Sequence, residues 1–268
     1  MINRDIVFQR LKESKKYKYL CDETLYRISG WAVERFEPKK AVKAAKNKLH
    51  QVYGAYFEKM NINKIQKRLN GLSNNSDTET LKSAAMEILK YHASTSERIP
   101  FMEQLYIDLF KRIGKPRRVV DFCCGLNPFA VQWMELEPEA EYTAFDIDTR
   151  LISVINTFFS CINRPYRAAC GDILVSIPEI GADVVFLFKT IPCLEQQEKG
   201  VSERIIKTLI LKSKYIVLSF PSKSLTGKKK GMGTYYNQFI LEILERSSLS
   251  MDYFKLEYSN EVFYVVSK

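Results

Sequence analysis

The sequence predicts an α/β protein, a mostly parallel sheet with crossover helices, preceded by an all-helical N-terminal segment. Three observations predict it. Beyond about residue 92, five short β-branched and aromatic runs alternate with spacers of helix length, the pattern of a parallel sheet. Before that point, apolar residues recur at three- and four-residue spacings. Charge divides along the same line: residues 1–91 hold 19 lysines and arginines against 10 aspartates and glutamates, and the remaining residues hold 22 against 21.

The first segment reads as helices over 4–20, 22–36, 38–56 and 78–91, with Ala41, Ala44, Ala45, Leu49 and Val52 marking one face of the third. Glu37-Pro38 is a break, because proline opens a helix but disfavours helical geometry in the residue before it. The polar run 71–77 is a loop, with Ser76 or Asp77 capping the next helix. Ser94 and Glu97 have the spacing of a capping box and predict a further helix start. Five parallel strands follow in RVVDFCC, YTAFDI, YRAAC, ADVVFLF and YIVLSF, and YFKLEYS with EVFYVVS reads as a closing antiparallel hairpin. This is the layout of the class I S-adenosylmethionine (AdoMet)-dependent methyltransferases, with a Rossmann-like, seven-stranded sheet. The expected division is a basic helical domain over 1–91 and a cofactor-binding domain over 92–268.

Composition narrows the setting. The 268 residues are 46% hydrophobic and 27% charged, an ordinary soluble balance, and no apolar stretch approaches the roughly 18 residues of a membrane span. A cytoplasmic protein is therefore expected. Six cysteines without a CxxC pair, and only two histidines, argue against a metal site and for free thiols. The N-terminal excess of positive charge suits a polyanion such as RNA. No heptad or other oligomer signal is present, so a monomer is expected.

In open α/β sheets, ligands sit beyond the carboxyl ends of the strands. The residues there are Cys124-Gly125-Leu126, Asp146-Ile147-Asp148 and Gly171-Asp172-Ile173. Gly125 lets the backbone approach a ligand, and Asn127-Pro128 reads as an N-cap followed by a first helical residue. Asp146, 25 residues after Asp121, suits the hydroxyls of a ribose, and Asp172 adds an acceptor for an adenine amino group. Arg98 can hold the methionine carboxylate of AdoMet through a paired hydrogen bond. His92 reads as a hydrogen-bonded structural histidine. Lys189 after the fourth strand completes a candidate cofactor set of Arg98, Cys124, Gly125, Asp146, Ile147, Asp172, Ile173 and Lys189.

The stretch FLFKTIPC, residues 186–193, lacks the Asp/Asn-Pro-Pro-aromatic motif of amino-directed base methyltransferases. Its Pro192-Cys193 leaves open a cytosine-C5 RNA methyltransferase with Cys193 as nucleophile. A noncatalytic RNA-binding or assembly factor with a methyltransferase fold is a further alternative. After the fifth strand, Lys223, Lys228, Lys229 and Lys230 with Met232 offer phosphate contacts beside an apolar surface.

Taken in order, HASTSER, DFCCGLNPFA, FDID, GDIL, FLFKTIPCLE and SFPSKSLTGKKKGM, with ESKKY and KLHQVYGAY before them, resemble the Arm/Rmt aminoglycoside-resistance 16S rRNA methyltransferases. The resemblance runs from about residue 13 to the last strand pair. It implies methyl transfer from AdoMet to guanine N7 in the decoding A site of 16S rRNA, within the assembled small ribosomal subunit. It also implies that Arg98 binds the AdoMet carboxylate, Gly125 lines its loop, Asp146 takes the ribose, and Asp172 and Ile173 border the adenine. Lys16, His50 and Tyr56 match rRNA-docking positions, and Lys223, Lys228 and Met232 match the loop near the target base. The resemblance gives Cys123 and Cys193 no part, and the candidates for easing charge on the guanine are a nearby carboxylate such as Asp172 and stacking. From the near-neutral charge balance outside residues 1–91, removal of the basic domain is expected to weaken subunit binding far more than AdoMet binding.

Overall fold

The computed structural model describes residues 3–54, 60–179, 181–222, 232–246 and 251–268. Seven strands form one sheet: β1 Arg118–Phe122, β2 Glu141–Asp146, β3 Tyr166–Cys170, β4 Ala182–Phe188, β5 Ser213–Pro221, β6 Asp252–Glu257 and β7 Glu261–Ser267. Their order is β3-β2-β1-β4-β5-β7-β6. The first five are parallel, and β7 runs antiparallel between β5 and β6, as the expected closing hairpin requires. The chain moves outward from β1 through β3 and then returns to β4, so the switch point lies between β1 and β4. In open α/β sheets ligands bind at the carboxyl ends of the strands that flank such a point.

Side chains alternate along each strand, and the two faces bury separate cores. Val119, Ala144, Val184 and Phe186 pack on one face, and Val120, Phe145, Val185 and Leu187 on the other. A third core lies among the N-terminal helices α1 Arg4–Lys12, α2 Asp22–Arg35 and α3 Pro38–Leu49 and the turns beside them, with Val7, Leu11, Leu25, Ile28 and Ala45 among its buried residues.

Pro38 opens α3, and Asp77 caps α5 (Thr78–Leu89) by accepting the Thr80 amide at 2.7 Å. Two helices escaped the periodicity reading. One is α4 (Ile62–Leu69), capped by Asn61; the other is α7 (Met102–Ile113), which ends at Gly114 with φ +78°. The first helix stops at Lys12 instead of residue 20, because the backbone around Leu20 bridges to Asp148. The third ends at Leu49 in a wider turn, His50–Gly54. The expected capping box does not form: α6 (Ala93–Arg98) begins ahead of Ser94, and the Glu97 carboxylate accepts from Lys189. Helices α4 and α5 bury Ile65, Leu69, Ala85 and Ile88 in the sheet's own core.

Candidate functional site

The carboxyl ends of β1 and β4 carry left-handed backbone at non-glycine residues: Cys123 has φ +52° and Lys189 φ +54°. Such conformations cost roughly 1–3 kcal/mol and persist where the surroundings enforce them, often at ligand sites. Gly125 follows with φ +50°, and nothing lies within 4 Å of the place a Cβ would occupy. Its backbone angle, and not crowding, asks for glycine.

The Gly125 amide donates to Asp146 Oδ2 at 3.0 Å, while the Ile147 and Asp148 amides donate to Oδ1 at 2.7 and 3.3 Å. The loops after β1 and β2 are thus held together by one carboxylate. Burial pushes Asp146 up to about 6, against the opposing effect of the backbone donors.

Beneath these loops lies a buried polar chain. Asp121 accepts from Tyr142 Oη at 2.6 Å and from Asn127 Nδ2 at 2.9 Å, and its Oδ1 has no partner among the described residues. Burial raises its carboxyl to about 7. Asn127 Oδ1 accepts from Arg98 Nη1 at 3.0 Å and from Tyr106 Oη at 3.2 Å. Asn127 is therefore a network residue inside a tight helical turn, Asn127–Trp133, and not the expected N-cap.

Arg98 is 1% exposed and donates to Glu261 through Nη2 at 2.6 Å and Nε at 3.3 Å. Burial works against its charge, but Glu261 more than compensates, so the guanidinium stays charged. Glu261 also accepts from the Ser219 hydroxyl and lies 3.6 Å from Lys189 Nζ, which reaches Glu97 at 2.7 Å. Glu261 was missed in the sequence. Its one local signal was an acidic residue opening an otherwise apolar strand.

Asp172 is 3% exposed and turned toward the N-terminal helices. Its Oδ2 accepts from Thr24 Oγ1 at 2.8 Å and from Arg27 Nε and Nη2 at 2.9 and 2.8 Å, and its Oδ1 from the Leu174 amide at 3.0 Å. Arg27 therefore compensates the charge of the carboxylate proposed to ease charge on the base. Ile173 is buried in the sheet core, and Ile147 packs against the N-terminal core.

Cys124 is buried and Cys123 partly so, and burial pushes both thiols well above their ordinary value, the opposite of an activated nucleophile. Cys193 sits in the first turn of the helix Ile191–Gln197, its thiol 3.7 Å from the Lys189 carbonyl. His92 is pushed down to about 4 by burial and then by Arg98 and Lys189, so it is neutral at physiological pH. On the N-terminal helices, Lys16 Nζ and His50 Nδ1 lie 2.9 Å apart. Tyr56, Lys223, Lys228, Lys229 and Lys230 lie outside the described residues, and Met232 opens the helix Met232–Arg246. A hollow of about 250 Å³, lined by Lys115, Arg117 and Lys214, lies at the opposite end of the sheet. Asp183 there already holds Lys214 and the Arg117 and Arg118 amides, so it takes no part in the site.

Buried carboxylates at successive strand ends, a glycine turn at the switch point and an arginine beneath it are the groups that a nucleoside cofactor calls for. The family model of the ribosomal RNA methyltransferases (FmrO) matches residues 13–265. The chain belongs to this family. It is similar to the 16S rRNA (guanine(1405)-N(7))-methyltransferase of Micromonospora echinospora, at 34% identity over 98% of this chain and 96% of that one. The enzyme of the same name from Proteus mirabilis is 30% identical over 98% of this chain and 96% of its own. Among solved structures, 16S rRNA methyltransferase RmtF in complex with S-adenosylhomocysteine is 29% identical with a TM-score of 0.81, covering 100% of this chain and 99% of that one. The match to a methyltransferase family, with a similar structure holding S-adenosylhomocysteine, implies AdoMet as the cofactor. No helix among the described residues is long and apolar enough to cross a membrane.

Proposed function

We propose that this FmrO-family protein, acting as a monomer, methylates N7 of one guanine in the decoding A site of 16S rRNA on the assembled small ribosomal subunit. The modification confers resistance to 4,6-disubstituted 2-deoxystreptamine aminoglycosides. The observation that carries the reading is similarity along nearly the whole chain to enzymes named for this base and atom, joined to a strand-end site of matching chemistry.

AdoMet supplies an electrophilic methyl group on its sulfonium. Asp146 accepts from the ribose, Gly125 and Cys124 line the turn beside it, and Ile147 and Ile173 flank the adenine. Arg98 meets the carboxylate: three of its N–H groups are committed to Glu261 and Asn127, and two remain among the described residues. Lys189 closes the crevice at the end of β4. Guanine N7 presents an in-plane lone pair and carries no proton, so no general base is required; catalysis rests on alignment of base and methyl. Lys16, His50 and Tyr56 dock on rRNA. Lys223, Lys228, Lys229, Lys230 and Met232 bind the rRNA, and the target base is turned out of its stack to meet the methyl.

The test is incubation with labelled AdoMet and either intact small subunits or naked 16S rRNA, followed by borohydride and aniline cleavage mapped by reverse transcription. The expected result is one cleavage in the A site, from subunits alone. Label on another base, or none in subunits, overturns the reading.

A further inference from the structure

The N-terminal helices reach the methyltransferase domain at a particular place. The Cys21 amide donates to the Ile147 carbonyl and the Thr149 amide to the Tyr19 carbonyl, both at 2.8 Å, so the segment before α2 pairs with the loop after β2. Two residues beyond Asp146 in that loop, Asp148 is fully buried; it accepts from Tyr53 Oη and, at 2.8 Å, from Arg150 Nη2, which also donates to Tyr53 Oη at 2.9 Å. On the loop after β3, Thr24 and Arg27 both hold Asp172 Oδ2. Arg27 Nη2 reaches Gln197 Oε1 at 2.8 Å as well, and Lys48 Nζ reaches the Gln196 carbonyl at 2.9 Å. The two loops are themselves tied, because the Gly171 amide donates to the Asp146 carbonyl at 3.1 Å.

We propose that the N-terminal helices form part of the cofactor pocket: Thr24, Arg27 and Tyr53 are positioning residues that hold the loops after β2 and β3 in the shape that binds AdoMet. The proposal rests on Asp146 and Ile173 bordering the cofactor. It replaces the expectation that removal of the basic domain weakens subunit binding far more than AdoMet binding.

The physical argument is preorganisation. Asp172 is nearly closed from water, and Arg27 is the cation beside it. Without Arg27, the carboxylate is left buried and uncompensated, and the loop relieves this by swinging it to solvent. Because the Gly171 amide is bonded to Asp146, that movement disturbs the ribose acceptor too. The cofactor must then reorder both loops on binding, which lowers its apparent affinity in proportion to the fraction correctly folded. Coupling of this kind is reciprocal, so a bound cofactor stiffens the helices that meet RNA.

The experiment measures S-adenosylhomocysteine affinity by calorimetry on the full chain, with thermal unfolding as a check of folding. Loss of a charge-assisted hydrogen bond predicts an affinity about tenfold or more weaker for Arg27→Met. Both guanidinium nitrogens reach the same oxygen, so a lysine ammonium can replace them, and Arg27→Lys is expected within about threefold of the parent. The double variant Arg27→Met with Asp172→Asn should bind no worse than Asp172→Asn alone, the mark of one shared interaction. The KM for AdoMet rises in Arg27→Met, while kcat at saturating AdoMet stays within about twofold. Amide exchange in residues 146–150 and 171–175 should quicken in the same variant. If Arg27→Met does not fold, Thr24→Val removes the hydrogen bond to Asp172, together with the weaker contact of the hydroxyl with Cys21 Sγ, and is expected to weaken binding about threefold or more. A folded Arg27→Met or Thr24→Val protein with parental affinity and exchange overturns the proposal. If Asp146→Ala also leaves affinity unchanged, the pocket reading itself has failed; if Asp146→Ala alone loses binding, only the clasp has.

Discussion

Replacing Glu261 with glutamine tests the buried ion pair beneath the site. Glu261 is fully buried, Arg98 is 1% exposed, and the two meet at 2.6 and 3.3 Å. Glutamine preserves the shape and retains one acceptor oxygen, but it leaves the guanidinium without a counter-charge. Removing one member of a buried pair costs about 3–5 kcal/mol. The nearest remaining carboxylate in the polar chain is Asp121, reached through Asn127 and itself held toward its neutral form by burial, so it offers partial relief only. For a domain of this size, that loss lowers the melting temperature by on the order of 10 °C. Thermal and urea unfolding followed by circular dichroism measures it. The double variant Arg98→Met with Glu261→Gln should recover part of the loss, because no lone charge is left buried. A Glu261→Gln protein less than about 1 kcal/mol weaker than the parent would refute the reasoning, since the pair would then be open to solvent.

The carboxyls and thiols near the strand ends carry further predictions. Asp146 must be charged to accept both ribose hydroxyls, and it titrates at about 6; S-adenosylhomocysteine affinity should fall about tenfold between pH 7 and pH 5, as roughly nine in ten carboxyls become protonated. Asp146→Asn should bind weakly with a flat profile, and a parent protein with a flat profile would count against the ribose assignment. Stability moves the other way: Asp121 and Asp146 stand above the ordinary carboxylate value of 3.8, so their burial favours folding at low pH and that contribution is lost as pH rises through about 6 to 7. Asp121→Asn should therefore gain stability relative to the parent between pH 5 and pH 8, measured by urea unfolding. The double variant Cys123→Ala with Cys124→Ala should lose stability or cofactor affinity and keep its chemical step, and Cys193→Ala should keep activity. A folded, cofactor-saturated and inactive protein in either case would restore a thiol mechanism.

Much of the frame is legible locally. The alternation of Val119, Val120, Asp121 and Phe122, the proline that opens α3 and the Asp77 cap are each read within a few residues, because strand pleats, ring closure and capping bonds act over that span. The carboxylates at the ends of β2 and β3 were legible for the same reason: a strand end followed by a helix places them on one edge. What escaped was settled at long range. Residues 13–20 have helical spacing, but the amides and carbonyls around Leu20 find partners in the loop 147–149, so the first helix ends early.

By itself, the sequence determined the layers, the strand count, the acidic strand ends and the family, all carried by short periodicities and contiguous motifs. Only the tertiary structure decided which charges meet. Arg98 and Glu261 are 163 positions apart, and Arg27 and Asp172 are 145 apart. The strand order brings each pair together, by setting β7 beside β5 and by pressing α2 against the loop after β3. A buried charge takes its partner from whatever the fold sets within a few ångströms, and spacing along the chain carries no record of that choice.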